Sequence, residues 1–486
     1  MKTATLVVKD EVNVKIEGLD LEARKRLSNK FKYEVPYARY LPAVRLGRWD
    51  GKVSYFQLGG STFINLLPDI LPMLEEMKYD VQLNDHREYR TDFALDPVTA
   101  ETFADKKWPK GHVVAGEPVI LRDYQVEIIN NFISNSQSLQ EIATGAGKTL
   151  ITAALSNLVE PYGRSIVIVP NKSLVTQTEE DYVNLGLDVG VYYGDRKEFG
   201  KQHTICTWQS LNVLLKNTRN AEAPITIGEF LEDVVCVIVD EVHMAKADAL
   251  KTLLTGVMSQ VPIRWGLTGT IPKEMFEFMS LLVSLGPVIG RKSASELQDM
   301  GILANCEVNI VQLIDHGDYS NYQSELKYLL TNDKRLDYLA NLISTIGESG
   351  NTMILVDRVE SGKALVRRLG DQAVFISGAT KAGDRKEHYD EVADVDNKII
   401  VATYGVAAVG INIPRIFNLV LLEPGKSFVR VIQSIGRGIR KAEDKDHVQI
   451  WDITSTCKYA KRHLTKRKQF YKEANYPFVI QKTDWN

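Results

Sequence analysis

Cysteine is scarce: four among 486 residues, at positions 206, 236, 306 and 457. None lies close enough to another to make a zinc knuckle or a redox pair. Cys206 and Cys236 sit in apolar runs and read as buried thiols, so a reducing cytoplasmic setting is expected. Excess charge is missing as well, since 59 Lys and Arg against 62 Asp and Glu leave −3. Any site for a polyanion must therefore be local. No uncharged apolar run reaches the ~18 residues of a membrane helix, and the N-terminus lacks a signal-peptide layout, so no membrane partner is expected. Low-complexity tracts and short repeats are lacking too.

What is present suits a globular chain, 44% hydrophobic and 25% charged, long enough for about three domains. Residues 1–85 pattern as a small α+β unit, with strands at 5–8 and 12–16 and helices at 20–32 and 66–78. Within residues 24–52 stand nine Lys or Arg against two acids, interleaved with Phe31, Tyr33, Tyr37, Tyr40 and Trp49. Basic groups such as Arg24, Lys25 and Arg48 can neutralise phosphates, and aromatic faces such as Trp49 can stack on bases. A solvated basic helix beside a small aromatic core is the alternative. Residues 86–116 read as a polar linker.

From residue 117 strand and helix alternate, and around Gly286-Pro287 the alternation restarts. The pattern predicts two tandem doubly wound parallel sheets, 117–285 and 286–456. The run Val234-Val235-Cys236-Val237-Ile238-Val239 has no polar face, as a central parallel strand requires. Residues 457–486 are expected to be a basic helical extension, with seven Lys or Arg and no acid in 457–472.

Three motifs carry chemistry. Glu141-Ile142-Ala143-Thr144-Gly145-Ala146-Gly147-Lys148-Thr149 reads as a phosphate-cradling loop opening a helix. Its glycines let the backbone approach phosphate oxygens, Lys148 reaches the outer phosphates, and the Thr149 hydroxyl faces Mg²⁺. Ile142 stands where the usual pattern begins with Gly, so a plain Gly-rich turn is the competing interpretation. Second, Asp240-Glu241-Val242-His243 follows the apolar strand. Two adjacent carboxylates there need a cation, and a nucleotide-bound Mg²⁺ held by Asp240 would serve, with Glu241 polarising the attacking water. Third, Gln433, Arg437 and Arg440 share one helical face, and a guanidinium suits the charge of a transferring phosphoryl group.

In this order the motifs resemble those of superfamily-two helicases, over roughly residues 118–456. The resemblance implies two RecA-like domains with ATP and Mg²⁺ between them, and arginine fingers at Arg437 and Arg440. Arg122-Asp123-Tyr124-Gln125 resembles the adenine-reading motif, which implies that Arg122 and Gln125 select ATP. Thr268-Gly269-Thr270 matches the motif coupling hydrolysis to strand grip. Lys172 and Thr207 fall in the strand-contacting motifs of the first domain, Gly378 and Thr403 in those of the second. Gly410 and Asn412 occupy the place of a further nucleotide contact, with Asn412 where many relatives carry Asp.

Beyond the motor, the basic N-terminal unit with Gly47-Arg48-Trp49-Asp50-Gly51 resembles that of the recombination helicases of T-even bacteriophages. This implies action on branched DNA (forks, Holliday junctions and R-loops) in recombination and replication repair. Single-stranded, forked and four-way DNA, RNA–DNA hybrids, and single-strand-binding or recombination proteins would be the partners, in the host cytoplasm if the chain is phage-encoded. Two rivals stay open: an RNA or RNA–DNA hybrid helicase, and a nucleotide-gated binding or annealing module.

Overall fold

The computed structural model describes residues 2–87, 93–108, 116–143, 146–170, 172–220, 225–242, 247–302, 305–378, 380, 395–404, 415–425, 447–473 and 476–485. The chain divides into two compact units, residues 1–141 with 147–291 and residues 142–146 with 292–486.

The first unit is built on an eight-stranded sheet. Its spatial order is Arg196–Lys197, Val189–Tyr193, His203–Thr207, Arg164–Val169, Val234–Asp240, Ile263–Thr268, Gln137–Ile142 and Val288–Lys292. The six strands from Val189–Tyr193 to Gln137–Ile142 run parallel. Every residue of Val234–Asp240 is buried, as its apolar sequence requires of a strand covered on both faces. The chain leaves Gln137–Ile142 and re-enters the sheet at Arg164–Val169, two strands being inserted between them later. Such a crossing makes a crevice beyond the carboxyl ends of the strands. Val288–Lys292 belongs to this sheet, so the division falls after Arg291, later than the Gly286-Pro287 restart.

The N-terminal residues form a four-stranded sheet ordered Ser61–Phe63, Asn13–Glu17, Lys2–Val8 and Tyr79–Asp85. Helices Leu21–Lys30 and Leu67–Glu76 accompany it, and Lys32–Glu34 pairs with Lys52–Ser54 in a small hairpin. Asp20 starts the first helix by accepting from Ala23 N at 2.8 Å. This sheet does not keep a core of its own. Leu27, Phe31, Tyr55, Phe56, Leu66 and Ile70 share one cluster with Phe276, Met279 and Val283 of the motor helix Met275–Leu285. The expected 86–116 linker is likewise packed where it is described. Val98 and Phe103 are buried, and the Asn130 side chain bonds both the N–H and the C=O of Val98, at 2.8 and 3.0 Å.

The second unit carries a seven-stranded sheet, all pairs parallel, in the order Ala373–Ile376, Ile399–Thr403, Thr352–Val356, Asn418–Leu422, His447–Ser455, Asn305–Leu313 and Phe478–Thr483. The last strand corrects the expected C-terminal extension. Helix Lys458–Glu473 returns the chain to the sheet, and residues 478–483 add its edge strand. Arg467 locks the helix down, its Nε and Nη2 reaching the fully buried Asp452 carboxylate at 2.8 and 2.9 Å. Tyr471 adds an O–H to the same carboxylate at 2.8 Å. Among the described residues, no helix is long and apolar enough to cross a membrane.

Candidate nucleotide site and nucleic-acid surface

Three motifs leave neighbouring strands at the carboxyl-end side of the first sheet. Ile263–Thr268 lies between Gln137–Ile142 and Val234–Asp240, with Thr268 opposite Glu141 and Leu267 opposite Asp240. The phosphate loop, the Asp240-Glu241 pair and Thr268-Gly269-Thr270 therefore emerge side by side. Gly147 caps helix Lys148–Val159 in the left-handed region, φ 79°. A Cβ there would also come within 2.7 Å of Gln125 Nε2. The dihedral favours glycine, and a side chain there would also displace the Gln125 amide. Gln125 is buried, its Oε1 accepting from Arg122 N at 3.0 Å. The structure thus brings the predicted adenine-reading glutamine against the phosphate loop, with Arg122 at the start of the same helix.

Lys148 opens its helix buried, and its Nζ donates to Glu241 Oε1. Glu241 takes a left-handed φ of 51°, a strained conformation for a residue with a Cβ. Its N–H donates to Asp240 Oδ1 at 2.8 Å, and Gly269 N lies 3.4 Å from its Oε2. Burial pushes the Asp240 carboxyl up to about 7, with Lys148 pulling the other way and Glu241 adding to the rise. A buried carboxylate so raised is short of positive charge. The donor types suit a hard cation such as Mg²⁺: Asp240 would offer a carboxylate oxygen, and half-buried Thr149 in the first helical turn a hydroxyl. Ala146 is buried beside this turn. Thr144, Gly145, Gly410, Asn412, Arg437 and Arg440 lie outside the described residues.

The same side of the sheet continues outward. Lys172 begins helix Lys172–Asn184 after Arg164–Val169, and its side chain is exposed. Thr207 ends the next strand and caps helix Trp208–Arg219 by accepting from Ser210 N at 3.3 Å, so its hydroxyl is already engaged. In the second unit Gly378 follows strand Ala373–Ile376 and Thr403 ends the adjacent parallel strand Ile399–Thr403, with open space around Gly378 where a side chain would stand. Lys172 and Gly378 are thus exposed and Thr403 half-buried, whereas Thr207 is buried with its hydroxyl bonded.

On the N-terminal sheet, Lys25 and Arg48 are exposed and Arg24 is half-buried, with Nη1 3.3 Å from Leu58 O. Trp49 is turned into the hairpin, its N–H donating to Lys52 O at 2.9 Å. The outward rings are instead Tyr37 and Tyr40, 48% and 59% exposed, with the Arg39 guanidinium 4.8 Å from the Tyr40 ring centre.

Two family models match in tandem: "Type III restriction enzyme, res subunit" over residues 118–273 and "Helicase conserved C-terminal domain" over residues 334–442. The chain belongs to the superfamily-two helicases. It is 24% identical over 476 residues to the ATP-dependent DNA helicase uvsW of Enterobacteria phage T4, spanning 93% of this chain and 90% of that protein. It is 23% identical over 378 residues to the DNA 3'-5' helicase XPB of Kineococcus radiotolerans, spanning 75% of this chain and 65% of that one. The solved structure of the ATP-dependent Type ISP restriction-modification enzyme LlaBIII bound to DNA matches 86% of this chain and 34% of its own, at 14% identity and a TM-score of 0.56. That last likeness is one of fold.

A buried cluster in the second unit was not anticipated from sequence. Arg335 is fully enclosed between Asp315 at 3.1 Å and Glu423 at 2.6 Å. Glu423 leaves the strand Asn418–Leu422 with φ 43°. The available signal was an acid at the exit of an apolar strand, the same sign that marked Asp240.

Proposed function

We infer that this superfamily-two helicase is an ATP-dependent DNA helicase that works on branched nucleic acid: regressed forks, Holliday junctions and R-loops. The observation that carries hydrolysis is the meeting of Lys148, Asp240 and Glu241 beside Thr268-Gly269-Thr270. DNA as the substrate rests on the likeness to a DNA helicase along nearly the whole chain. The branched preference rests on the basic N-terminal sheet being packed onto the motor.

In this reading Asp240 and Thr149 hold Mg²⁺, which shields phosphate charge when bound. Lys148 exchanges Glu241 for the outer phosphates, and the freed Glu241 carboxylate orients water for attack. Arg437 and Arg440 from the second domain offset the charge that develops on the transferred group. Arg122 and Gln125 select the base, and Gly410 and Asn412 add nucleotide contacts. Lys172, Thr207, Gly378 and Thr403 follow one strand's backbone while Arg24, Lys25 and Arg48 hold the duplex arm. Alternation of grip with hydrolysis then yields steps along the strand.

The test is strand displacement on forked, four-way and R-loop substrates with and without ATP. ATP-dependent unwinding of branched substrates ahead of plain tailed duplexes supports the reading. Unwinding of RNA duplexes in preference to DNA, or annealing that needs no ATP, overturns it.

A further inference from the structure

The N-terminal sheet is docked on two motor helices, and both follow a chemistry-bearing motif in the chain. Helix Ala247–Thr255 comes a few residues after Asp240-Glu241, and helix Met275–Leu285 after Thr268-Gly269-Thr270. Tyr37 donates its O–H to Asp248 Oδ2 at 2.5 Å on the first helix. That bond, with burial, lifts the Tyr37 phenol to about 12. On the second helix the buried Tyr55 hydroxyl donates to Phe276 O at 2.9 Å and lies 2.8 Å from Ser280 Oγ. Lys251 of the first helix sits 4.7 Å from the Tyr55 ring centre. Asn13 Nδ2 reaches Thr255 O at 2.9 Å, at the end of the first helix.

The two helices are themselves tied to the strand between the catalytic motifs. Arg264 on Ile263–Thr268 is fully buried, and among the described residues no carboxylate pairs with it. Its Nη2 donates to Leu254 O, and its Nε donates to Ser284 O at 2.8 Å. One guanidinium therefore holds the last turns of both helices to the strand that ends in Thr268. From Tyr37 and Tyr55 to Gly269, whose N–H faces Glu241, the contacts are continuous. Tyr37 also adjoins the outward loop carrying Arg39, Tyr40, Arg45 and Arg48, where Tyr40 and Leu46 are 59% and 65% exposed.

We propose that the N-terminal sheet is an input to ATP hydrolysis: duplex bound on its basic loop is sensed at the motor through Asp248 and Ser280. It rests on the DNA-helicase reading above. Asp248 and Ser280 are positioning residues, each bonded to a tyrosine of the N-terminal sheet. A duplex arm held on the loop loads the Tyr37–Asp248 bond, and the shift passes along the paired helices to the elements that orient Glu241. Coupling between two sites needs an element that both bias, and the helix pair clamped by Arg264 is that element.

The experiment compares ATP turnover stimulated by forked DNA and by single-stranded DNA, in the full-length wild type and in Asp248→Ala with Ser280→Ala. Fork affinity and melting temperature are measured alongside. If the double variant melts early, Asp248→Ala alone, at an exposed position, carries the comparison. Expected are unchanged single-strand-stimulated turnover, fork affinity within about twofold, and a fork-over-single-strand ratio reduced about fivefold or more, at the low end of measured allosteric couplings. A merely structural contact would lower both turnovers together and leave the ratio alone. A variant that keeps the wild-type ratio overturns the coupling while the helicase assignment stands. A wild type whose turnover is no higher on forks than on single strands overturns the coupling and the branched-DNA reading together.

Discussion

Lys148 and Glu241 form a buried ion pair, although one opens the helix after strand Gln137–Ile142 and the other follows strand Val234–Asp240, two places away in the sheet. Glu241→Gln should retain the hydrogen bond while removing the base. Turnover should then fall ~10²–10⁴-fold, the usual worth of a general base, with nucleotide affinity largely kept. Single-turnover hydrolysis and equilibrium nucleotide binding separate the two. Equal losses in both would assign Glu241 to ground-state binding instead. Lys148→Ala should abolish turnover while DNA binding persists.

His203 lends the motor a pH dependence. It is fully buried at the start of its strand, with Nδ1 2.7 Å from Ser165 Oγ and Nε2 2.9 Å from Glu160 Oε1. A neutral ring satisfies both, accepting from the serine and donating to the glutamate. Burial lowers its pKa below the ordinary 6.5, with Glu160 opposing. The unfolded chain therefore takes up this proton before the folded one does. The stabilisation is complete above about pH 6.5 and is lost as pH falls through the folded value. Melting temperature should drop on acidification below pH 6.5, and His203→Gln should flatten that slope. An identical slope in the variant would place the sensitivity elsewhere.

That Lys148, Asp240 and Glu241 would meet was legible in the sequence because few residue types suit a phosphate loop and a buried strand exit. Phosphate approach demands a glycine at 147, and carboxylates at a buried strand exit declare a cation. The apolar run ending at Asp240 announced a central strand for the same reason. Asn305–Leu313 and Phe478–Thr483 escaped notice. The first alternates polar and apolar residues, a pattern that does mark a strand, whereas the second is mostly exposed and follows seven cations, so its surroundings read as a solvated tail. Arg467 was counted among those cations, yet it serves Asp452, fifteen residues earlier. The docking of Tyr55 on Phe276 and Ser280 spans more than 220 positions and leaves no local pattern to find.

Arg467 separates a structural C-terminus from a floppy basic one. Its removal would leave the fully buried Asp452 without its cation. Breaking such a buried pair from one side costs about 3–5 kcal/mol. Arg467→Ala should therefore unfold at distinctly lower denaturant, whereas neutralising Lys458 and Lys461 on the same helix should change stability by less than about 0.5 kcal/mol. Urea midpoints compare the three. Equal midpoints would mean that the helix is an appendage after all.

Deleting residues 1–85 would be a poor test of DNA binding, because it strips the cover from Phe276, Met279 and Val283. Each such side chain is worth about 1.5–3 kcal/mol when buried, so the truncated motor should be unstable whatever the sheet binds. Charge reversal on the exposed loop leaves that core intact. Replacing Arg39, Arg45 and Arg48 by Glu should weaken forked-DNA binding and flatten its dependence on salt. The slope of log K against log salt falls by about 0.9 for each duplex phosphate that is no longer neutralised, so freeing three phosphates flattens it by nearly three. Single-strand binding should change far less if its phosphates are met, as proposed, at Lys172 on the motor rather than on this loop. A triple variant with the wild-type slope on forks would show these arginines to be solvated surface, and the duplex arm would have to be held elsewhere.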